Sequence, residues 1–121
     1  MRNVREIQII DRADEILSDQ SKWTKHCMAR TKRRVMLLSG NSPGAVCWCA
    51  SGAIDKAMKE TKMTNRQAAI SRSKLQTVVQ KLIGNEDMIV AHFNDRPTTT
   101  FSDIKNLFKN MKEYLKENTI R

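Results

Sequence analysis

Only 13 acidic residues face 22 basic ones, and none of the acids lies between Asp19 and Asp55. That window carries Lys22, Lys25, Arg30, Lys32, Arg33 and Arg34, a local +6 within a net charge of +9. Aromatics are equally sparse: Trp23, Trp48, Phe93, Phe101, Phe108 and Tyr114 are all the chain has in 121 residues. The core must therefore be aliphatic, with seven methionines to help fill it. Four glycines, none in a Gly-rich loop leading to Lys-Ser or Lys-Thr, exclude a phosphate-binding loop. No apolar run approaches the roughly 20 residues of a membrane span, so no membrane partner is expected. Acids within MRNVREIQIIDRADEIL argue against a signal peptide. Three cysteines are an odd number, and Cys47-Trp48-Cys49 is too tight for an ordinary disulfide. A reducing cytoplasm suits them best.

What is present is mostly helical periodicity. Val4, Ile7, Ile10, Ala13 and Ile16-Leu17 recur at threes and fours, predicting a first amphipathic helix of about four turns. Trp23 follows where a large side chain can cover its end. The basic segment and Val35-Met36-Leu37-Leu38 come next. Four apolar residues do not decide between strand and helix, so residues 30–42 are read as irregular or as a short strand. Ser42-Pro43 reads as a helix start, with serine capping and proline in the first turn. That helix would run to about Thr61 and turn Val46, Ala50, Ala53, Ile54 and Ala57 inward. Thr64 and Gln67 form a capping-box pair opening a third helix. It carries Leu75, Val78, Val79, Leu82 and Ile83 and stops at Gly84, with Ser71 and Ser73 as positions where it could break. A short buried segment covers Met88 to Phe93. Thr100 caps the last helix, in which Phe101, Ile104, Leu107, Phe108, Met111, Tyr114 and Leu115 repeat by threes and fours. The expected fold is mainly α, one domain of four or five helices over residues 1–121.

Two constellations invite a chemical reading. On a helix, Cys47 and Cys49 would point to different sides and could not share a metal ion. Adding His26, Cys27 or His92 does not produce a common zinc spacing. The cysteines are read as packing, with Gly52 admitting a close neighbour; neither a metal nor a cofactor is expected. In HFNDRPTTTFSDI, Asn94, Asp95 and Arg96-Pro97 make a rigid polar turn aiming the last helix. The competing reading is a ligand site formed by His92, Asn94, Asp95 and Arg96 and used by a small enzyme or nucleotide-binding protein, with a cysteine or histidine as the reacting group.

Trp23, then Cys49 with Gly52-Ala53, then Phe93-Asn94-Asp95 before Thr100, resemble the pattern of an uncharacterised family of small bacterial and bacteriophage proteins. Phe93 stands where that family usually has tryptophan, and residues 25–42 diverge. The resemblance implies a compact helical domain and a phage origin, and it transfers no activity. The expectation is a non-catalytic cytoplasmic binding protein. Its basic segment (Lys22, Lys25, Arg30, Lys32, Arg33, Arg34) would engage nucleic acid or an acidic host protein.

Overall fold

The computed structural model describes residues 2–120; Met1 and Arg121, the ends of the expected domain, lie outside the described residues. Five α-helices are found among the described residues: α1 (Val4–Ile16), α2 (Ala50–Glu60), α3 (Asn65–Ile83), α4 (Val90–Asp95) and α5 (Phe101–Glu117). Between α1 and α2 come a single 3₁₀ turn (Gln20–Lys22) and three short strands, β1 (Ala29–Thr31), β2 (Met36–Leu37) and β3 (Ala45–Trp48). The strands form an antiparallel sheet in the order β2-β1-β3. No described helix is long and apolar enough to cross a membrane.

The helices begin and end where local chemistry directs. Both halves of the capping box form at α3, where the Thr64 hydroxyl accepts from Gln67 N–H and the Gln67 side chain from Thr64 N–H. Gly84 closes α3 in the left-handed region at φ 73°, where a side chain would be strained. Thr100 and Asp103 repeat the box at α5. Once capped, the helices bury one apolar face each. Ile9, Ile10, Ala13 and Leu17 of the α1 region meet Ala50, Ala53 and Ala57 of α2, whose small side chains allow close approach. Ile104, Phe108, Met111 and Leu115 of α5 complete this core, with Val78 and Val79 of α3. The result is a single mainly α domain with a small sheet on one flank.

Two local expectations are corrected. Residues 45–48 are strand rather than helix, and α2 starts at Ala50. Ser42-Pro43 belongs to a tight turn instead. Ala45 N–H donates to Ser42 O at 3.3 Å, and Gly44 sits at φ 81°. Proline second and a positive-φ glycine third is the arrangement of a type II turn. Val46, expected inward, is exposed. It is the extra residue of a bulge, because Arg30 pairs with Cys47 and Thr31 with Ala45. In addition, α3 runs unbroken through Ser71 and Ser73. Ser71 is buried, and its hydroxyl donates to the carboxylate of Glu6 on α1, itself 2% exposed. Lys74 Nζ lies 3.7 Å from the same carboxylate, so a buried charge keeps a partner, as burial demands.

Candidate functional site

The short sheet determines where the basic segment goes. β1 and β2 form a hairpin whose turn is tied by Thr31: its N–H donates to Val35 O (3.0 Å), and its carbonyl accepts from Arg34 N–H (2.9 Å). The Thr31 hydroxyl also accepts from Val35 N–H at 3.1 Å. Lys32, Arg33 and Arg34 are thereby lifted onto an exposed tip.

The six cations named from sequence do not act alike. Arg30 is half-buried, and its guanidinium donates to Thr24 Oγ1 (2.8 Å), Lys25 O (3.2 Å) and Arg34 O (3.3 Å). It is part of the hairpin's framework. Lys25 Nζ donates to Arg96 O at 2.7 Å and lies 5.5 Å from the centre of the Trp23 ring. Arg34 lays one guanidinium nitrogen 3.9 Å from the Cys47 sulfur and so covers that thiol, while remaining exposed itself. Lys22 is exposed on the 3₁₀ turn. None of the six makes an ion pair among the described residues. The described pairs join helix cations to helix carboxylates, as in Arg12–Glu60, Arg72–Asp55, Lys105–Asp14 and Lys112–Asp11.

Beside the cations stand exposed aliphatics. Leu38 is 97% exposed, Met36 62% and Val35 57%, on or next to the strand at the edge of the sheet. No periodicity in the sequence marks these residues as exposed. The only signal for it is their place beside a charged turn.

The polar turn proves to be an interior clamp. Asn94 is fully buried. Its carbonyl oxygen accepts from Trp23 Nε1 (2.7 Å) and from Ala50 N–H (2.9 Å), the first amide of α2. Its amide nitrogen donates to Thr24 O and to Asp95 Oδ1, both at 3.0 Å. Asp95 Oδ1 also accepts from His26 N–H at 2.8 Å, which holds His26 at a positive φ of 72°. His92 and Arg96 are exposed, and the Arg96 guanidinium lies 5.4 Å from the Phe93 ring centre. The two candidate sites are thus joined through Lys25–Arg96 and His26–Asp95, a link between residues about 70 apart that sequence reasoning missed.

Cys47 and Cys49 are both buried, as packing requires, but not on one helix. Cys49 is the N-cap of α2, and its sulfur accepts from Gly52 N–H at 3.2 Å. Burial pushes its thiol up to about 11, partly offset by the amides of Gly52 and Ser51. A cysteine nucleophile needs a thiolate and an approach path; at 2% exposure Cys49 has neither at neutral pH. Among the described residues no three His, Cys, Asp or Glu side chains converge as metal ligands.

A thiol-specific reagent should therefore label half-buried Cys27 first, and Cys47 and Cys49 only after denaturant. The raised thiol also sets a pH dependence. Unfolded, Cys49 loses its proton near 9.0; folded, it keeps it to about 11. Between those values the unfolded chain has released a proton that the folded chain retains, so stability falls as pH rises. The loss should total roughly 2–3 kcal/mol. Denaturant titrations from pH 8 to 11 on the parent and Cys49→Ala check this; an equal slope in both would refute it.

Nothing matches the chain among curated proteins or solved structures. A family model described as a family of unknown function (DUF6197) matches residues 1–113. The matched span includes Trp23, Cys49, Gly52-Ala53, Phe93-Asn94-Asp95 and Thr100, the residues that carry the resemblance. With that span covering most of its length, the chain belongs to this family of unknown function.

Proposed function

We propose that the protein is a non-catalytic binding module that engages an anionic partner through the tip of the β1–β2 hairpin. The carrying observation is that Lys32, Arg33 and Arg34 are exposed together without a carboxylate partner among the described residues. Elsewhere in the fold six cations stand against acids: Arg12, Lys56, Arg72, Lys74, Lys105 and Lys112. Unneutralised like charges held close repel one another and are relieved by an anionic surface. Of the two partners considered, an acidic protein surface is favoured over nucleic acid. Val35, Met36 and Leu38 offer aliphatic area that a protein can cover, whereas the six aromatics that could stack on bases are drawn into the fold. The non-catalytic part of the reading is supported by Asn94, whose amide oxygen and nitrogen are both spent on the fold, and by Asp95, whose Oδ1 is engaged in the same way. A cytoplasmic, phage-encoded protein acting on an acidic host component fits this reading and the reduced cysteines.

The test is Lys32→Gln, Arg33→Gln and Arg34→Gln together, leaving Arg30 in place because its bonds are internal. Capture from host lysate, with and without nuclease, should lose its partner in the triple variant while the far-ultraviolet circular dichroism is unchanged. Binding to polyglutamate should fall by about tenfold or more, and its salt dependence should flatten. Partners captured equally by both proteins would overturn the proposal. Capture abolished by nuclease would transfer the tip to nucleic acid, with a salt slope reduced by about 0.9 for each phosphate no longer neutralised.

A further inference from the structure

The β2 strand is an edge. β1 lies between β2 and β3, so one side of β2 is unpaired among the described residues. Thr31 N–H donates to Val35 O across the hairpin. In an antiparallel ladder successive residues alternate between facing the partner strand and facing away. Val35 and Leu37 therefore turn their main-chain groups to β1, and Met36, the partner of Arg30, directs its N–H and C=O outward. That outward pair is flanked by the exposed side chains of Val35, Met36 and Leu38, with Lys32, Arg33 and Arg34 at one end.

We infer that the β2 edge is a strand-addition site that takes an extended acidic and aliphatic segment of a partner polypeptide. This rests on the reading of the hairpin tip as an anion-binding surface and specifies its occupant. Main-chain groups of the incoming segment pair with Met36. Its aliphatic side chains cover Val35, Met36 and Leu38, and its carboxylates meet Lys32, Arg33 and Arg34. Charges at a sheet edge also guard against self-pairing. That accounts for the three cations, but it leaves the three aliphatics uncovered. A bilayer could cover the aliphatics yet offers no partner for the outward N–H and C=O of Met36. Nucleic acid meets the cations yet offers little to aliphatic side chains. A second copy of the chain pairs strand with strand, but it brings another +9 and no acid between residues 19 and 55. Only an acidic polypeptide satisfies backbone, aliphatics and cations together.

The probe is a synthetic peptide of about eight residues alternating glutamate and valine, added to the full chain and followed by backbone amide NMR. Shifts should concentrate on residues 31–38, and exchange of the Met36 amide with solvent should slow. The same peptide N-methylated at alternate residues keeps its charge but loses strand donors; it should bind about tenfold or more weakly. Met36→Pro should weaken binding likewise, since proline is tolerated on an edge where the N–H faces solvent. Should that variant misfold, the N-methylated peptide still decides.

The Lys32→Gln, Arg33→Gln, Arg34→Gln variant separates the two levels. If it binds the peptide as well as the parent does, the anion-binding reading fails and this inference with it. If it binds more weakly while N-methylation has no effect, the anion-binding reading stands and strand addition is overturned. No shifts up to about 1 mM peptide, a weak-binding bound, would also overturn it. So would tighter binding to phosphatidylserine vesicles or single-stranded DNA, or a dimer in light scattering that Met36→Pro dissolves.

Discussion

Asn94→Ala is expected to lower the unfolding free energy by about 4 kcal/mol, a large part of the roughly 5–15 kcal/mol that holds a domain of this size together. The side chain makes four hydrogen bonds, to Trp23, Thr24, Ala50 and Asp95, and so ties α4 both to the Trp23-Thr24 segment and to the start of α2. Truncation does more than remove those bonds. It leaves the indole N–H of Trp23 and the amide of Ala50 without an acceptor in a region closed to water. An unsatisfied buried donor costs about 1–3 kcal/mol, more than the net worth of the bond that satisfied it. Asn94→Asp sharpens the expectation. One carboxylate oxygen still accepts from Trp23 and Ala50, but the other then faces Thr24 O and the Asp95 carboxylate, where a donor stood before. That variant should be about as unstable as Asn94→Ala at neutral pH and recover on acidification, when protonation restores a donor. Asp95→Ala should cost less, about 1–2 kcal/mol, because it releases only His26 N–H and one Asn94 hydrogen bond. Urea titrations give the three values. A loss under about 1 kcal/mol for Asn94→Ala would mean that water enters to replace the amide.

The contrast between Asn94 and its neighbours shows which parts of this molecule a sequence can disclose. Helix ends depend on residues three or four apart, so Thr64 with Gln67, Gly84, and Thr100 with Asp103 are legible from spacing alone. So is the α5 face, where every apolar position from Ile104 to Leu115 follows the helical period and only Tyr114 stays half-exposed. Three of the four partners of Asn94 lie 44, 70 and 71 positions away, and no local pattern encodes them. Turn chemistry is the reading that spacing offers for an asparagine and an aspartate before α5, although both sit in the last turn of α4. It does not reveal that the asparagine also closes the start of α2 and anchors Trp23. Glu6 is a similar case. Its place in an amphipathic helix reads as surface, and only the buried hydroxyl of Ser71 and the ammonium of Lys74, both arriving from α3, make an interior carboxylate tolerable.

The stretch Ala45–Cys49 misleads for a different reason. Its alanine, valine, cysteines and tryptophan fit a buried helix or a strand equally, and Ser-Pro before it fits a helix start or a turn. Gly44 is the informative residue, since proline followed by glycine specifies a type II turn, and a turn there leaves an extended Ala45–Trp48 to pair with β1. The basic segment is legible as charge but not as geometry. Composition places six cations within one window. Only the hairpin register separates Arg30 and Lys25, bonded inward, from Lys32 and Arg33, which point at solvent.

Gly52→Ala carries the second large effect, and its sign runs against local propensity. Gly52 lies in the first turn of α2. By propensity alone, alanine inside a helix is better than glycine by about 1 kcal/mol, so a sequence-based optimiser would make this change to stabilise the protein. The surroundings reverse it. A Cβ on Gly52 would stand 2.0 Å from the carbonyl oxygen of Met28, just ahead of β1. A Cβ on Gly40 would stand 2.0 Å from the carbonyl oxygen of Gly52 itself. Loop, helix and strand approach are stacked backbone on backbone at two successive levels, and no flexible side-chain end is there to yield. Met28 O is further fixed by accepting from Cys49 N–H at 3.2 Å, and Gly40 O by accepting from Trp48 Nε1 at 2.9 Å. Relieving the clash therefore moves the hairpin away from α2 and loosens the cap at Cys49. The expected cost is about 3 kcal/mol or more, a fall in melting temperature of about 12 °C for a chain of this length. Gly40→Ala should cost about as much, and the double variant less than the sum, because both relax the same stack. Since the hairpin tip is carried on this stack, Gly52→Ala should also weaken polyglutamate binding without touching a cation. An increase in stability, as propensity alone predicts, would mean that the β1 approach is free to shift and that the hairpin is not held against α2.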